Sequence, residues 1–187
     1  MRIISGSAGS IPLQVPRGLT RPTTDRVRES LFAVLGDLVC DARVLDLFAG
    51  SGSLGIEALS RGAVSVDFIE SNGTACETIQ RNLEKAKLLG GKVHRRDVVA
   101  HLGSISSARY DLIFADPPYA RSDSEFELLG KLLNMGGLAA ALAPDGLLVL
   151  ETLSSSPLPE NDLWKTMDER HYGITRVSFL SLMPRES

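Results

Sequence analysis

The chain has 187 residues, a formal net charge of −3 and a hydrophobic fraction of 43%. That length supports one good core, and the slightly acidic balance excludes a protein that coats nucleic acid with its whole surface. No apolar run approaches a membrane span, and MRIISGSAGSIPL lacks the continuous apolar core of a signal peptide, so a cytoplasmic protein is expected. Cys40 and Cys76 stand alone without CxxC spacing, and His94, His101 and His171 are scattered, so no disulfide and no metal site are expected.

The charge is unevenly spread. Residues 1–28 hold Arg2, Arg17, Arg21, Arg26 and Arg28 against one acid, Asp25, and KVHRRD places Lys92, His94, Arg95 and Arg96 together. The stretch GSAGSIPL carries no charge, while Asp123, Glu125 and Glu127 crowd one short segment further on.

In chain order, RIISGSAGSIPLQVP reads as a short strand followed by a loop or hairpin. Val27, Leu31, Val34, Leu35 and Leu38 then recur at helical spacing over 26–38, with a threonine available as N-cap. RVLDLF (43–48) reads as a buried strand leading through AGSGSLG into a helix closed by Gly62. VSVDFIES (64–71) is the next strand, and Asn72 can cap a helix running to about Leu89. KVHRRD (92–97) is a third strand with a short helix after it, and YDLIFADPPY (110–119) a fourth. FELLGKLLNM is amphipathic, and GLLVLET (146–152) reads as a fifth strand. The tail MDERHYGITRVSFLSLMP reads as two strands meeting near Tyr172–Gly173. Strands alternating with helices predict a single α/β domain over 1–187, with a doubly wound, Rossmann-like, mostly parallel sheet ending in an antiparallel hairpin.

Gly50, Gly52 and Gly55 form a G-x-G-x-x-G between a strand and a helix, with Glu70 at the end of the next strand. Such a loop brings backbone close to a ligand, and the acid can take ribose hydroxyls. An adenosine-containing cofactor follows, and a nicotinamide dinucleotide fits the loop as well as S-adenosylmethionine does. Asp46, four residues before Gly50, tilts the choice: a carboxylate there opposes phosphates but suits an amino group, and S-adenosylmethionine has an amino group and no phosphate. Asp97, ending the third strand, is a candidate partner for the adenine amine.

Asp116-Pro117-Pro118-Tyr119 follows the apolar run Leu112–Ala115, where proline must end a strand. At the carboxyl end of a strand in such a sheet this loop adjoins the ligand crevice. An aromatic amine is a poor nucleophile because its lone pair is drawn into the ring. The carboxylate of Asp116 and the carbonyl of Pro117 can accept its two N–H groups and aim the nitrogen, while Tyr119 stacks on the base, which is worth about 1–3 kcal/mol.

MRIISG, RPTTDRVRESLF (21–32), VLDLFAGSGSLGIEALSRGA (44–63), FIES (68–71), RRD (95–97), LIFADPPY (112–119) and YGITRVSFL (172–180) together resemble the RsmD family. These are bacterial methyltransferases of the class I fold that modify the N2 amine of one guanine in 16S ribosomal RNA. The resemblance implies that Asp46, Phe48, Gly50, Gly52, Gly55, Glu70, Ser71 and Asp97 hold S-adenosylmethionine, and that Asp116 to Tyr119 receive the flipped guanine. It implies that residues 1–40 extend over the cofactor and RNA site, with Arg21, Thr23, Thr24 and Arg28 near the cofactor or the RNA backbone and Pro118 beside the base. The small ribosomal subunit is the implied partner of a monomeric enzyme. Members of that family carry lysines or arginines where this chain has GSAGSIPL. Three other readings stand beside it: a DNA amino-methyltransferase acting on adenine N6 or cytosine N4 with the same loop, a dinucleotide-dependent oxidoreductase, and a ribosome-assembly factor without catalysis.

Overall fold

The computed structural model describes residues 1–16, 24–105, 110–117 and 123–184, the side chains of 123–125 excepted. The chain forms two compact units, residues 1–98 and 99–187.

In the first unit, α1 (Asp25–Leu35) begins at Thr24, whose Oγ1 accepts the Val27 N–H, and passes into a 3₁₀ turn at Gly36–Val39. The sequence predicts a helix over 26–38; the α-helix stops at Leu35 because Gly36 takes φ 50. β1 (Arg43–Leu47), β2 (Ser65–Glu70) and β3 (Gly91–Arg95) pair in parallel, β2 in the middle. Val44, Leu45, Leu47, Phe68 and Ile69 are fully buried, as strands covered on both faces require.

α2 (Ser53–Ser60) follows β1, and α3 (Gly73–Ala86) follows β2. Asn72 caps α3 by accepting the Ala75 N–H at 3.1 Å, as its sequence position predicts. α3 buries Ala75, Cys76, Ile79, Leu83 and Ala86 along one stripe and ends at Lys87, which takes φ 53. α2 is different: all eight of its residues are buried. A helix enclosed on every side needs a cover opposite the sheet, and residues 1–16 supply it. Gly6 shows how tightly: a Cβ there would stand 1.8 Å from the Ser60 carbonyl oxygen. The uncharged GSAGSIPL is thus a packing surface, with Ala8 and Leu13 buried in it.

In the second unit, α4 (Val98–Gly103) precedes β4 (Tyr110–Ala115), and α5 (Asp123–Leu133) and α6 (Gly136–Ala141) lead to β5 (Leu142–Leu153). α6 and the early start of β5 are not predicted by the sequence, which gives no element between FELLGKLLNM and GLLVLET. β5 runs parallel to β4 and antiparallel to β7 (Thr175–Leu182), which pairs with β6 (Trp164–Tyr172). Tyr172 faces Thr175 across a two-residue loop in which Gly173 takes φ 62, as a II′-type hairpin needs. The Trp164 indole donates to the Leu133 carbonyl at 2.8 Å and pins this hairpin to α5. The strand order is β3-β2-β1 in the first unit and β4-β5-β7-β6 in the second, parallel except at the C-terminal pair.

Candidate cofactor and substrate sites

β1 ends at Leu47, and the loop beyond it alternates left-handed residues: Phe48 at φ 57, Gly50 at 56 and Gly52 at 76. Glycine takes that conformation without strain, whereas Phe48 costs roughly 1–2 kcal/mol, which the surrounding bonds must offset. Ala49 donates to the Ile69 carbonyl at 3.1 Å and Gly52 to the Ala49 carbonyl at 2.7 Å. The three glycines serve different ends. A Cβ on Gly55 would stand 2.4 Å from the Phe68 ring and 2.7 Å from Val66, so Gly55 lets α2 lie close on β2. A Cβ on Gly52 would press on Ile56 and Ile79 at 3.1 Å. Beside Gly50 there is open space, its nearest neighbour being the Phe48 carbonyl oxygen at 3.8 Å. A ligand therefore has room against the backbone at Gly50.

Two carboxyl groups frame this loop. Glu70, at the end of β2, accepts the Gly50 N–H at 2.9 Å on Oε2 and the Asn72 N–H at 2.8 Å on Oε1, with the Ser71 hydroxyl 3.5 Å from the latter. A carboxylate has about four acceptor positions, so both oxygens retain capacity for further donors such as ribose hydroxyls. Asp46, inside β1 and only 2% exposed, accepts the Gly55 N–H at 2.9 Å. Burial raises its pKa to about 8; the Gly55 bond opposes the rise and the charge of Glu70 adds to it. An ammonium group placed beside such a buried carboxyl would favour its charged form.

The structure thus brings Asp46, Phe48, Gly50, Gly52, Gly55, Glu70 and Ser71 into one loop cluster. Asp97 lies two residues beyond β3, exposed and engaged in interactions of its own. In the second unit, β4 buries Leu112 to Ala115 and stops there; Asp116 is half-buried and Pro117 buried, both outside the strand. Pro118 and Tyr119 lie outside the described residues, as do Arg21 and Thr23. Thr24 is exposed and its side chain is used as the α1 cap.

Arg28, expected near the cofactor or the RNA backbone, points into the protein beside the glycine loop. Its side chain is fully buried. It donates to the Arg2 carbonyl, bonds Asp25 at 2.8 Å, stands 3.8 Å from Glu57 and reaches the Ser53 carbonyl at 3.4 Å. A charge so enclosed within the protein is not presented to RNA. Sequence reasoning missed its partner, Glu57, and two further buried polar residues, Ser60 and Asn82. The one signal for Glu57 is its place as the lone acid in the apolar helix SLGIEALS.

Residues 1–181 match the family described as Conserved hypothetical protein 95. The chain is 37% identical over 161 residues to the ribosomal RNA small subunit methyltransferase D of Escherichia coli (strain K12), covering 85% of this chain and 78% of that protein. It is 33% identical over 183 residues to the protein of the same name from Haemophilus influenzae, covering 93% and 90%. A solved structure of a hypothetical protein from Thermus thermophilus superposes with a TM-score of 0.78 at 30% identity, covering 97% of this chain and 99% of that one. With the match spanning both units, the chain belongs to the Conserved hypothetical protein 95 family, the RsmD family.

Proposed function

We propose that this chain transfers a methyl group from S-adenosylmethionine to the exocyclic N2 amine of a guanine in 16S ribosomal RNA, acting on the small ribosomal subunit in the cytoplasm. The relatives' names support the ribosomal RNA substrate. The observation that carries the cofactor is the place of Asp46. Its carboxyl takes the Gly55 N–H in the first turn of α2, where a dinucleotide's pyrophosphate would look for donors. A carboxyl there disfavours phosphate and favours an ammonium, which argues against the oxidoreductase reading.

S-adenosylmethionine supplies an electrophilic sulfonium methyl when bound. Asp46 would hold its ammonium, Glu70 its ribose hydroxyls, and the backbone at Gly50 its close approach, with Phe48, Ser71 and Asp97 around it. On the substrate side, Asp116 and the Pro117 carbonyl would accept the two N–H groups of the amine and aim its lone pair. Tyr119 and Pro118 would pack on the flipped base. Orientation is the main source of rate in such a site, since alignment of two bound reactants is worth about 7–11 kcal/mol. After attack the nitrogen is cationic and acidic, so its proton can leave to Asp116 or water without a strong base. Of the residues expected near the cofactor or the RNA backbone, Arg21, Thr23 and Thr24 would serve either, and Arg28 would act on the cofactor side, beside the glycine loop.

The test is methyl transfer from labelled S-adenosylmethionine to unmodified small ribosomal subunits, naked ribosomal RNA and duplex DNA, read by nucleoside mass spectrometry beside Asp116→Ala. N2-methylguanosine in RNA, lost in the variant, is the expected result. Methylated adenine or cytosine in DNA alone would replace this reading with the DNA amino-methyltransferase. No product on any substrate would leave the non-catalytic assembly factor as the better reading.

A further inference from the structure

Residues 1–16 fold back on themselves through an isolated antiparallel bridge of Arg2 with Pro12 and the backbone bonds of Ile3 to Ile11, Ser10 to Ile3 and Leu13 to Met1. Side chains from the helices hold the folded segment in place. The Ile4 and Ser5 N–H groups donate to the two oxygens of Glu57 at 2.7 and 3.0 Å, and the Ala8 N–H donates to Ser60 Oγ at 3.0 Å. The Gln14 N–H donates to Asn82 Oδ1 at 2.8 Å, and Asn82 Nδ2 donates back to the Gln14 carbonyl at 3.0 Å.

Two of these anchors continue into the glycine loop. Asn82 Nδ2 also reaches the Ser51 carbonyl at 3.2 Å. Arg28, bound to the Arg2 carbonyl, reaches the Ser53 carbonyl at 3.4 Å. Ser51 and Ser53 flank Gly52, and Asn82 and Arg28 are both fully buried. Two polar side chains from different helices therefore connect the N-terminal segment to the carbonyls on either side of Gly52.

We propose that Asn82 and Arg28 are positioning residues for the cofactor: they fix the glycine loop through these carbonyls and couple the order of residues 1–16 to occupancy of the site. The inference rests on reading the loop as the S-adenosylmethionine site. The chemistry at Asn82 leaves no slack, because its oxygen and its NH₂ group are all engaged. Asn82→Asp keeps the shape and the acceptor but loses both donors and sets a carboxylate against two carbonyl oxygens. Coupling of this kind is reciprocal, so a ligand that orders the loop must also protect the segment.

S-adenosylhomocysteine is the probe, with affinity measured by calorimetry and amide hydrogen exchange followed over residues 1–16. Measurements are made at a temperature where circular dichroism shows every variant folded. In the wild type, bound probe slows exchange at the Ile4, Ser5 and Gln14 amides. Asn82→Asp and Arg28→Lys weaken binding about tenfold, the size expected for one lost buried hydrogen bond, and abolish that protection. Lys85→Met is the control. It removes the 2.7 Å bond from Lys85 to the Pro12 carbonyl, on the same segment but away from the loop, and leaves affinity at the wild-type value. Lower melting temperatures in all three variants with unchanged affinity, or equal weakening in all three, would overturn the proposal. A wild type that does not bind the probe would overturn the cofactor reading instead.

Discussion

The molecule has two hairpin-like segments, and they are held in opposite ways. β6 is joined to β7, and β7 to β5, by long backbone ladders, and most side chains of β6 face solvent. Residues 1–16 have one isolated bridge and a few backbone bonds of their own, and lean on side chains from the helices, Arg28, Glu57, Ser60, Asn82 and Lys85. A ladder spreads its stabilisation over many peptide groups, so no single residue decides it. A segment held by side chains concentrates its stability in a few residues, and those residues can transmit a change elsewhere. Only the first arrangement tolerates substitution; only the second can couple to a site.

The largest effect expected from this contrast is at Glu57. It is fully buried, bonds the Ile4 and Ser5 N–H groups, bonds Arg61 at 2.7 Å and faces the buried Arg28. Glu57→Ala takes the acceptor from the Ile4 and Ser5 N–H groups and from Arg61, and leaves Arg28 with Asp25 as its remaining carboxylate partner, so a loss of about 3–5 kcal/mol is expected in chemical denaturation. Lys165→Ala on exposed β6 is the counterpart and should stay within about 0.5 kcal/mol. A loss under about 1 kcal/mol for Glu57→Ala would show that the N-terminal segment is not anchored as described.

Next in size are the glycines. Gly55→Ala pushes a methyl group into the Phe68 ring and Val66, an overpacking cost of about 1–3 kcal/mol. Gly173→Ala in the β6–β7 loop meets no atom within 4 Å and carries only the backbone strain of its φ of 62. The two can be separated with pressure or a core-shrinking partner: Phe68→Leu beside Gly55→Ala should recover part of the loss, while no neighbouring change rescues Gly173→Ala. Additive losses at Gly55 and Phe68 would contradict the close α2–β2 contact.

Asp46 gives a pH-dependent effect with a slope of about 1.4 kcal/mol per pH unit between its unfolded and folded pKa values. Its pKa rises from 3.8 to about 8 on folding, so the native state holds the proton more tightly than the unfolded chain. That contribution is complete below about pH 4 and is lost as pH climbs through about 8. Asp46→Asn should therefore stabilise the ligand-free protein at about pH 7 and flatten its stability between about pH 5 and 8. An unchanged pH profile would mean that the carboxyl is already ionised.

The glycine loop was legible in the sequence because its demands are local. Gly50 and Gly52 take the positive φ that favours glycine, Glu70 ends β2, and Thr24 and Asn72 announce their helices within three residues. Glu57, Ser60 and Asn82 were not legible, because their partners lie 52 to 68 residues away. Arg28 carries the same lesson in reverse. Sequence displays its charge but not its direction, and the charge turns inward to Asp25 and Glu57. α6 was hidden because it opens on two glycines, which favour no helix. At Gly137 the need is for space: a Cβ there would lie 2.1 Å from the Leu102 carbonyl oxygen.

The smallest expected effect tests the tolerant half of the contrast. Met167 sits where the β6–β7 register shifts between Thr166 and Asp168, and it is 58% exposed. A bulge leaves its extra residue without a ladder partner and twists an edge strand away from further pairing. Met167→Lys should change stability by no more than about 0.5 kcal/mol in thermal melts, because it removes little buried surface and breaks no bond. If the hairpin depended on single side chains as residues 1–16 do, this substitution would cost several times more. The two segments would then differ only in length, and the assignment of coupling to the N-terminal one would lose its physical basis.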